Sequence, residues 1–117
     1  MGLRERVRKL SSSTAEIEKV RLQDRFADVD CSSIADALPR HRVVISGEVQ
    51  AIQVVPRAGS PSLEVTVGDG TAKAVAVFTG RRRLGGVEPG RAILLEGVAG
   101  AQRGRIQLLN PAYTLLG

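Results

Sequence analysis

Aromatic side chains are almost missing from this sequence. Its 117 residues include no tryptophan, and Phe26, Phe78 and Tyr113 are the only aromatics. A surface built on stacked rings therefore has little to draw on. Cysteine and histidine are rarer still, with one of each, Cys31 and His41. That excludes an internal disulfide and the usual metal sets of clustered Cys and His. A single thiol also agrees with a reducing compartment. No apolar run approaches the roughly 20 residues that cross a bilayer as a helix, so no membrane partner is expected. The opening Met1-Gly2-Leu3-Arg4-Glu5-Arg6 lacks the apolar stretch of a secretory signal, which makes the cytoplasm the expected address. Neither a P-loop, a G-x-S-x-G elbow nor an H-E-x-x-H pair occurs. The carboxylates are scattered and read as turns, caps or surface groups, Asp69 among them. On these grounds no enzyme activity, cofactor or metal is expected.

What the chain does have is enough apolar character for a packed core. The apolar share is 43%, well above that of a disordered chain, and the length fits one core with a short appendage. The net charge of +5 is carried by 14 arginines and 3 lysines. Residues 1–40 hold 8 basic and 7 acidic side chains, whereas residues 41–117 hold 9 and 5. The second part is the cationic one, and a pI near 10.3 raises the question of a polyanionic partner.

Residues 1–33 read as a helical segment. Leu3, Val7, Leu10, Thr14 and Ile17 recur at alternating spacings of four and three, which places them on one stripe of a helix. Ser11-Ser12-Ser13 interrupts the stripe, and Ser13-Thr14-Ala15-Glu16 has capping-box form. Two arrangements are open: one long helix, or a short one over about 2–10 followed by a capped one over about 14–28, the second being preferred. The stripe is expected to pack on the rest of the protein, with self-association as the alternative. Cys31, read as a small apolar residue, and Ser32-Ser33 then break the pattern, and Pro39 ends whatever turn Ile34 to Leu38 makes.

From Arg42 the texture becomes β-branched. A long first strand runs to Val55, with Gly47 suggesting a bulge or bend that lets it serve both sides of a closed sheet. Pro56 to Pro61 reads as a loop. Ser62 to Val67 alternates cleanly, with Leu63, Val65 and Val67 inward. Gly68-Asp69-Gly70-Thr71 is a hairpin turn. The parity of Lys73 to Phe78 is set by the cost of burying a lysine, so Ala74, Ala76 and Phe78 face inward. Arg91 to Val98 forms a fourth strand, Ala99 to Gly104 a loop, and Arg105 to Leu109 a fifth strand that stops at Asn110-Pro111. Five short strands with tight turns point to a mainly β chain closed into a small barrel.

The ordered set carries a resemblance. Val43-Val44-Ile45-Ser46-Gly47-Glu48-Val49 is followed by Leu63 to Thr71 with its Asp-Gly-Thr hairpin, by Ala76-Val77-Phe78-Thr79-Gly80, and by Arg105 to Tyr113 with Asn110-Pro111. Over roughly residues 34–116 it resembles the OB-fold nucleic-acid-binding domains of the tRNA-anticodon and RecG-wedge type. With its helical N-terminus the whole chain is similar to a group of small bacterial OB-fold proteins. The resemblance implies a five-stranded Greek-key barrel over 34–117 behind a helical segment over 1–33. It implies binding of single-stranded DNA or RNA with little sequence preference, beside a larger DNA-repair or translation complex. The implied surface lies on the second and third strands, where Glu64, Thr66, Lys73 and Val75 would sit. The flanking loops contribute Arg57, Arg103 and Arg105, with Gly104 letting the backbone approach a ligand. Arg81, Arg82 and Arg83 form the densest positive cluster, between strands three and four, and would join only a widened site. Phe78 matches a position where such domains place an aromatic. With so few rings, binding is expected to lean on arginine–phosphate contacts and to be sensitive to salt. A protein-interaction or assembly module, with a homo-oligomer as one form of it, stays open as the alternative.

Overall fold

The structure is a computed structural model that describes the backbone of residues 3–117 and the side chains from Thr14 onward. One helix, α1 (Leu3–Arg25), precedes a short 3-10 turn at Ile34–Asp36 and six strands: β1 (Arg42–Arg57), β2 (Ser60–Gly68), β3 (Lys73–Thr79), β4 (Ala92–Gln102), β5 (Arg105–Leu109) and β6 (Ala112–Leu116). The first five close into a ring in the order β1-β2-β3-β5-β4, sealed by pairing of β1 with β4. β3 and β5 run parallel and the other neighbours antiparallel. The mainly β, five-stranded barrel expected from the sequence is therefore what forms.

Closure depends on the length of β1. Its first half, Arg42 to Glu48, pairs with β4, and its second half, from Glu48 to Arg57, pairs with β2. The change of partner needs a bend, and the register slips by one residue between Val49 and Ala51, leaving Gln50 as the bulge. Gly47 is thus not the bulge. It is buried, and a Cβ there would sit 3.1 Å from the backbone nitrogen and oxygen of Gly68. Glycine is required by the close approach of two strands.

The inner face follows the alternation read from the sequence. Ile45 and Val49, Leu63, Val65 and Val67, Ala74, Ala76 and Phe78, Ile93 and Leu95, and Leu108 share one buried cluster, which Ile34 joins from the 3-10 turn. Lys73 is exposed, as its charge requires. Asp69 is buried at the β2–β3 turn and fully used. Its Oδ1 accepts the Thr71 N–H at 2.9 Å, the Thr71 hydroxyl at 2.6 Å and the Ala72 N–H at 3.3 Å. Its Oδ2 accepts the Ile34 N–H at 2.9 Å, tying the linker to the barrel.

Three expectations are corrected. The serines do not divide the helix: α1 is continuous, because serine costs only a fraction of a kcal/mol in a helix while a break needs two new caps. The packing face is also not the stripe. Thr14 and Ile17 are exposed, whereas Leu22 and Phe26 pack with Ala92, Val29 and Leu116, and Leu22 lies ~140° around the helix from Ile17. Leu3, Val7 and Leu10 fall outside the described side chains. Lastly, the fifth strand does stop at Asn110-Pro111, but a sixth strand follows it, so the expected five strands are one short. Asn110 takes φ +48° and its Oδ1 accepts the Thr79 N–H at 2.9 Å, so the chain kinks there and resumes as β6 along β4.

Two arginines clamp α1 to the bend of β1. Arg21 donates to Glu48 at 3.0 Å, and Arg25 donates both to Glu48 and, at 2.9 Å, to the carbonyl of Gly90. Hydrogen bonding from Arg21 is the largest effect on the Glu48 carboxyl; burial opposes it, and Arg25 adds to it, so the group sits below its ordinary value of 4.5.

Candidate functional site

Both segments read as loops beside the second and third strands are tight hairpins instead. Arg57 pairs with Ser60 and Gln102 with Arg105, leaving two residues at each tip. Ala58 and Gly59 have φ of +48° and +81°, and Arg103 and Gly104 have +54° and +76°. Positive φ at both central residues matches the right-handed twist of the strands, so the ladders run out to the tips. The turn itself needs the conformation of Gly104.

Between the two ribbons lies an open groove of about 560 Å³ on the outer face of the sheet. Outward residues of β1, Gln53, Val55 and Arg57, form one wall, and Gln102, Arg103 and Arg105 the other. The floor carries Glu64 of β2, Val75 of β3 and Gln107 of β5. Register explains the meeting: Gln53 stands opposite Glu64, and Val75 opposite Gln107. Arg57 reaches back along its ribbon and donates to Glu64 Oε2 at 3.3 Å. Arg103 and Arg105 are exposed, with no ion pair among the described residues. The groove thus sets three guanidinium groups against a single carboxylate.

The structure brings together three of the seven arginine and lysine positions singled out above. Lys73 pairs with Gly68 at the far end of β3 and does not line the groove. Arg81, Arg82 and Arg83 are exposed on the β3–β4 connection, also apart from it. Phe78 offers no stacking surface: its ring is buried and meets Tyr113 edge-on, with centroids 5.7 Å apart. Three glutamines, Gln53, Gln102 and Gln107, were passed over. The signal for Gln53 was present, since it shares the parity of Val55 and Arg57, but it appears only once the strand is carried through Pro56.

No family model and no curated protein matches this sequence. Solved structures do match. The replication factor A related protein from Methanobacterium thermoautotrophicum aligns with a TM-score of 0.59 at 16% identity, over 75% of this chain and 92% of that one. The OBody AM1L10 bound to hen egg-white lysozyme gives 0.58 at 16% identity, over 74% and 90%. The barrel is an OB fold. At this identity the likeness establishes the architecture alone, and the chemistry of the OB groove rests on its own side chains.

Proposed function

We propose that this protein is a non-enzymatic module that binds single-stranded DNA or RNA in the groove between its two hairpins. One observation carries the reading: Arg57 of one hairpin and Arg103 and Arg105 of the other, distant in sequence, converge on the same concave face. Guanidinium groups meet phosphates bidentately, and a strand laid across the sheet would bring successive phosphates past both ribbons. Val55 and Val75 supply apolar contact for bases, and Arg103 is free to stack its flat guanidinium on one. The absence of any ring among the groove residues makes this binding phosphate-led, in keeping with the net charge of residues 41–117. The replication factor A related neighbour is consistent with the reading.

Fluorescence anisotropy with labelled single strands and duplex, titrated across salt concentrations, tests it. Three phosphate contacts predict a log–log salt slope of about −2 for single strands. Replacing Arg57, Arg103 and Arg105 together by alanine should abolish most of that slope, whereas Lys73→Ala should leave it nearly unchanged. Affinity that survives the triple replacement would place the site elsewhere.

A second reading is self-association through α1. It is favoured by Ile17 and Val20, which are 69% and 50% exposed on the face away from the barrel. Sedimentation of the chain and its Ile17→Lys, Val20→Lys variant separates the two. A dimer that the variant dissolves supports assembly, and a monomer in both removes it.

A further inference from the structure

We propose that Glu64 makes the groove selective for guanine at one position of the bound strand, an inference that rests on the single-strand reading above. A groove serving only as a phosphate track has no use for a carboxylate on its floor. Glu64 stands there half-buried, directly opposite Gln53 and with Arg57 at its side. An ionised carboxylate repels phosphate and accepts hydrogen bonds without donating any. The group over Glu64 is therefore a base edge, and the backbone runs to the arginines on either side.

The chemistry of the four bases then chooses among them. In a single strand the Watson–Crick edges are open to a protein. Guanine alone presents two adjacent donors there, the ring N1–H and the 2-amino group, which match the two oxygens of a carboxylate. Adenine, cytosine, thymine and uracil each offer one donor beside at least one acceptor, and that acceptor faces the second oxygen unfavourably. Glu64 is set up for the paired arrangement. Arg57 takes only Oε2, at 3.3 Å, and Oε1 has no hydrogen-bond partner among the described residues. Directly opposite residues on paired strands lie about 5 Å apart at Cβ, so the Gln53 amide is within reach of the guanine O6 as a donor. Arg57 is the positioning residue: its guanidinium bonds Oε2 and holds the carboxylate along the ribbon.

The test uses the full chain and three labelled probes: an oligothymidylate, the same strand with one central guanosine, and the same strand with inosine there instead. Inosine keeps the N1–H and lacks the 2-amino group. A good bidentate contact predicts about tenfold tighter binding of the guanosine probe than of oligothymidylate, with most of that gain lost for inosine. In Glu64→Val the carboxylate is gone and the strand propensity kept. That variant should bind all three probes alike, and its circular dichroism spectrum and unfolding midpoint report an intact fold. Equal binding of the guanosine and thymidine probes by the parent overturns the proposal while leaving the groove a binding site. So does a guanosine preference that persists in Glu64→Val. Failure to bind any probe at low salt overturns the single-strand reading itself and this proposal with it.

Discussion

Arg103 lines the proposed groove from a strained backbone position. The first position of a two-residue type I′ hairpin is best filled by asparagine, aspartate or glycine, which tolerate positive φ. Here a long β-carbon-bearing side chain holds φ +54°, a conformation that costs about 1 kcal/mol or more. Under the proposed single-strand reading, that cost is offset by the binding of a groove-lining arginine. Arg103→Asn should accordingly move two measurements in opposite directions. Denaturant unfolding should show a gain of about 0.5–1 kcal/mol, and single-strand affinity should fall. A variant that loses stability as well would refute the trade-off. Asp69 is the contrasting case, a buried carboxylate that stands where catalysis is usually sought and is consumed by structure. All of its partners named above are donors, so Asp69→Asn turns an acceptor into a donor facing N–H or O–H groups. That change should cost roughly 2–3 kcal/mol, read as a lower urea midpoint with little change in binding by correctly folded protein.

At the level of elements, β1 determines whether the barrel closes. It can change partners because the bulge at Gln50 bends it and because Gly47 lets Gly68 approach. Gly47→Val keeps the β-branched character of its surroundings yet pushes carbon into backbone at 3.1 Å. Overpacking of this kind costs about 1–3 kcal/mol, and thermal unfolding of the variant checks it. The hairpins explain which boundaries were legible. Strand interiors announced themselves through alternation, as at Leu63, Val65 and Val67. Strand ends did not, because Pro56, Pro61 and Gly59 read locally as a loop, although Pro56 and Pro61 face each other in the ladder. Both hairpins remain strand to the last pair because the sheet beneath them fixes the twist. α1 shows the same limit. Its helical character was plain, but its apolar stripe named Ile17, while the barrel surface selects Leu22 and Phe26.

Across the whole molecule, charge is divided between two tasks. The guanidinium groups of Arg21 and Arg25 hold the helix to the barrel through Glu48, and those of Arg57, Arg103 and Arg105 surround the groove. The first group bears on acid stability. The Glu48 carboxyl titrates below its ordinary value in the folded state because Arg21 and Arg25 favour its charged form. Its contribution is therefore complete above the unfolded value of 4.5 and is lost as pH falls through the lower folded value. Glu48→Gln should lower stability by about 1–2 kcal/mol at neutral pH. The difference from the parent should shrink as pH drops below about 4.5. Chemical unfolding of both proteins at pH 7 and pH 3 measures it, and an equal difference at the two values would show that Glu48 acts through packing instead.

The sequence by itself determined the inner half of this protein. Alternation of apolar and polar residues assigned the inward set of β2 and the cost of burying Lys73 that of β3, glycine and Asp-Gly placed the β2–β3 turn, and the order of these pieces identified the barrel. These are local signals, because side-chain direction in a strand depends only on parity. Tertiary structure decided the outer half. Arg57, Arg103 and Arg105 line one groove, and Lys73 and Arg81 to Arg83 do not, because strand register and hairpin twist bring distant residues to one face. Glu64 became meaningful only once Gln53 stood across from it and Arg57 beside it. β6 depends on a kink at Asn110 held by Thr79, a contact no pattern along the chain displays. Pairing distance in space, rather than spacing in sequence, sets what a groove can bind.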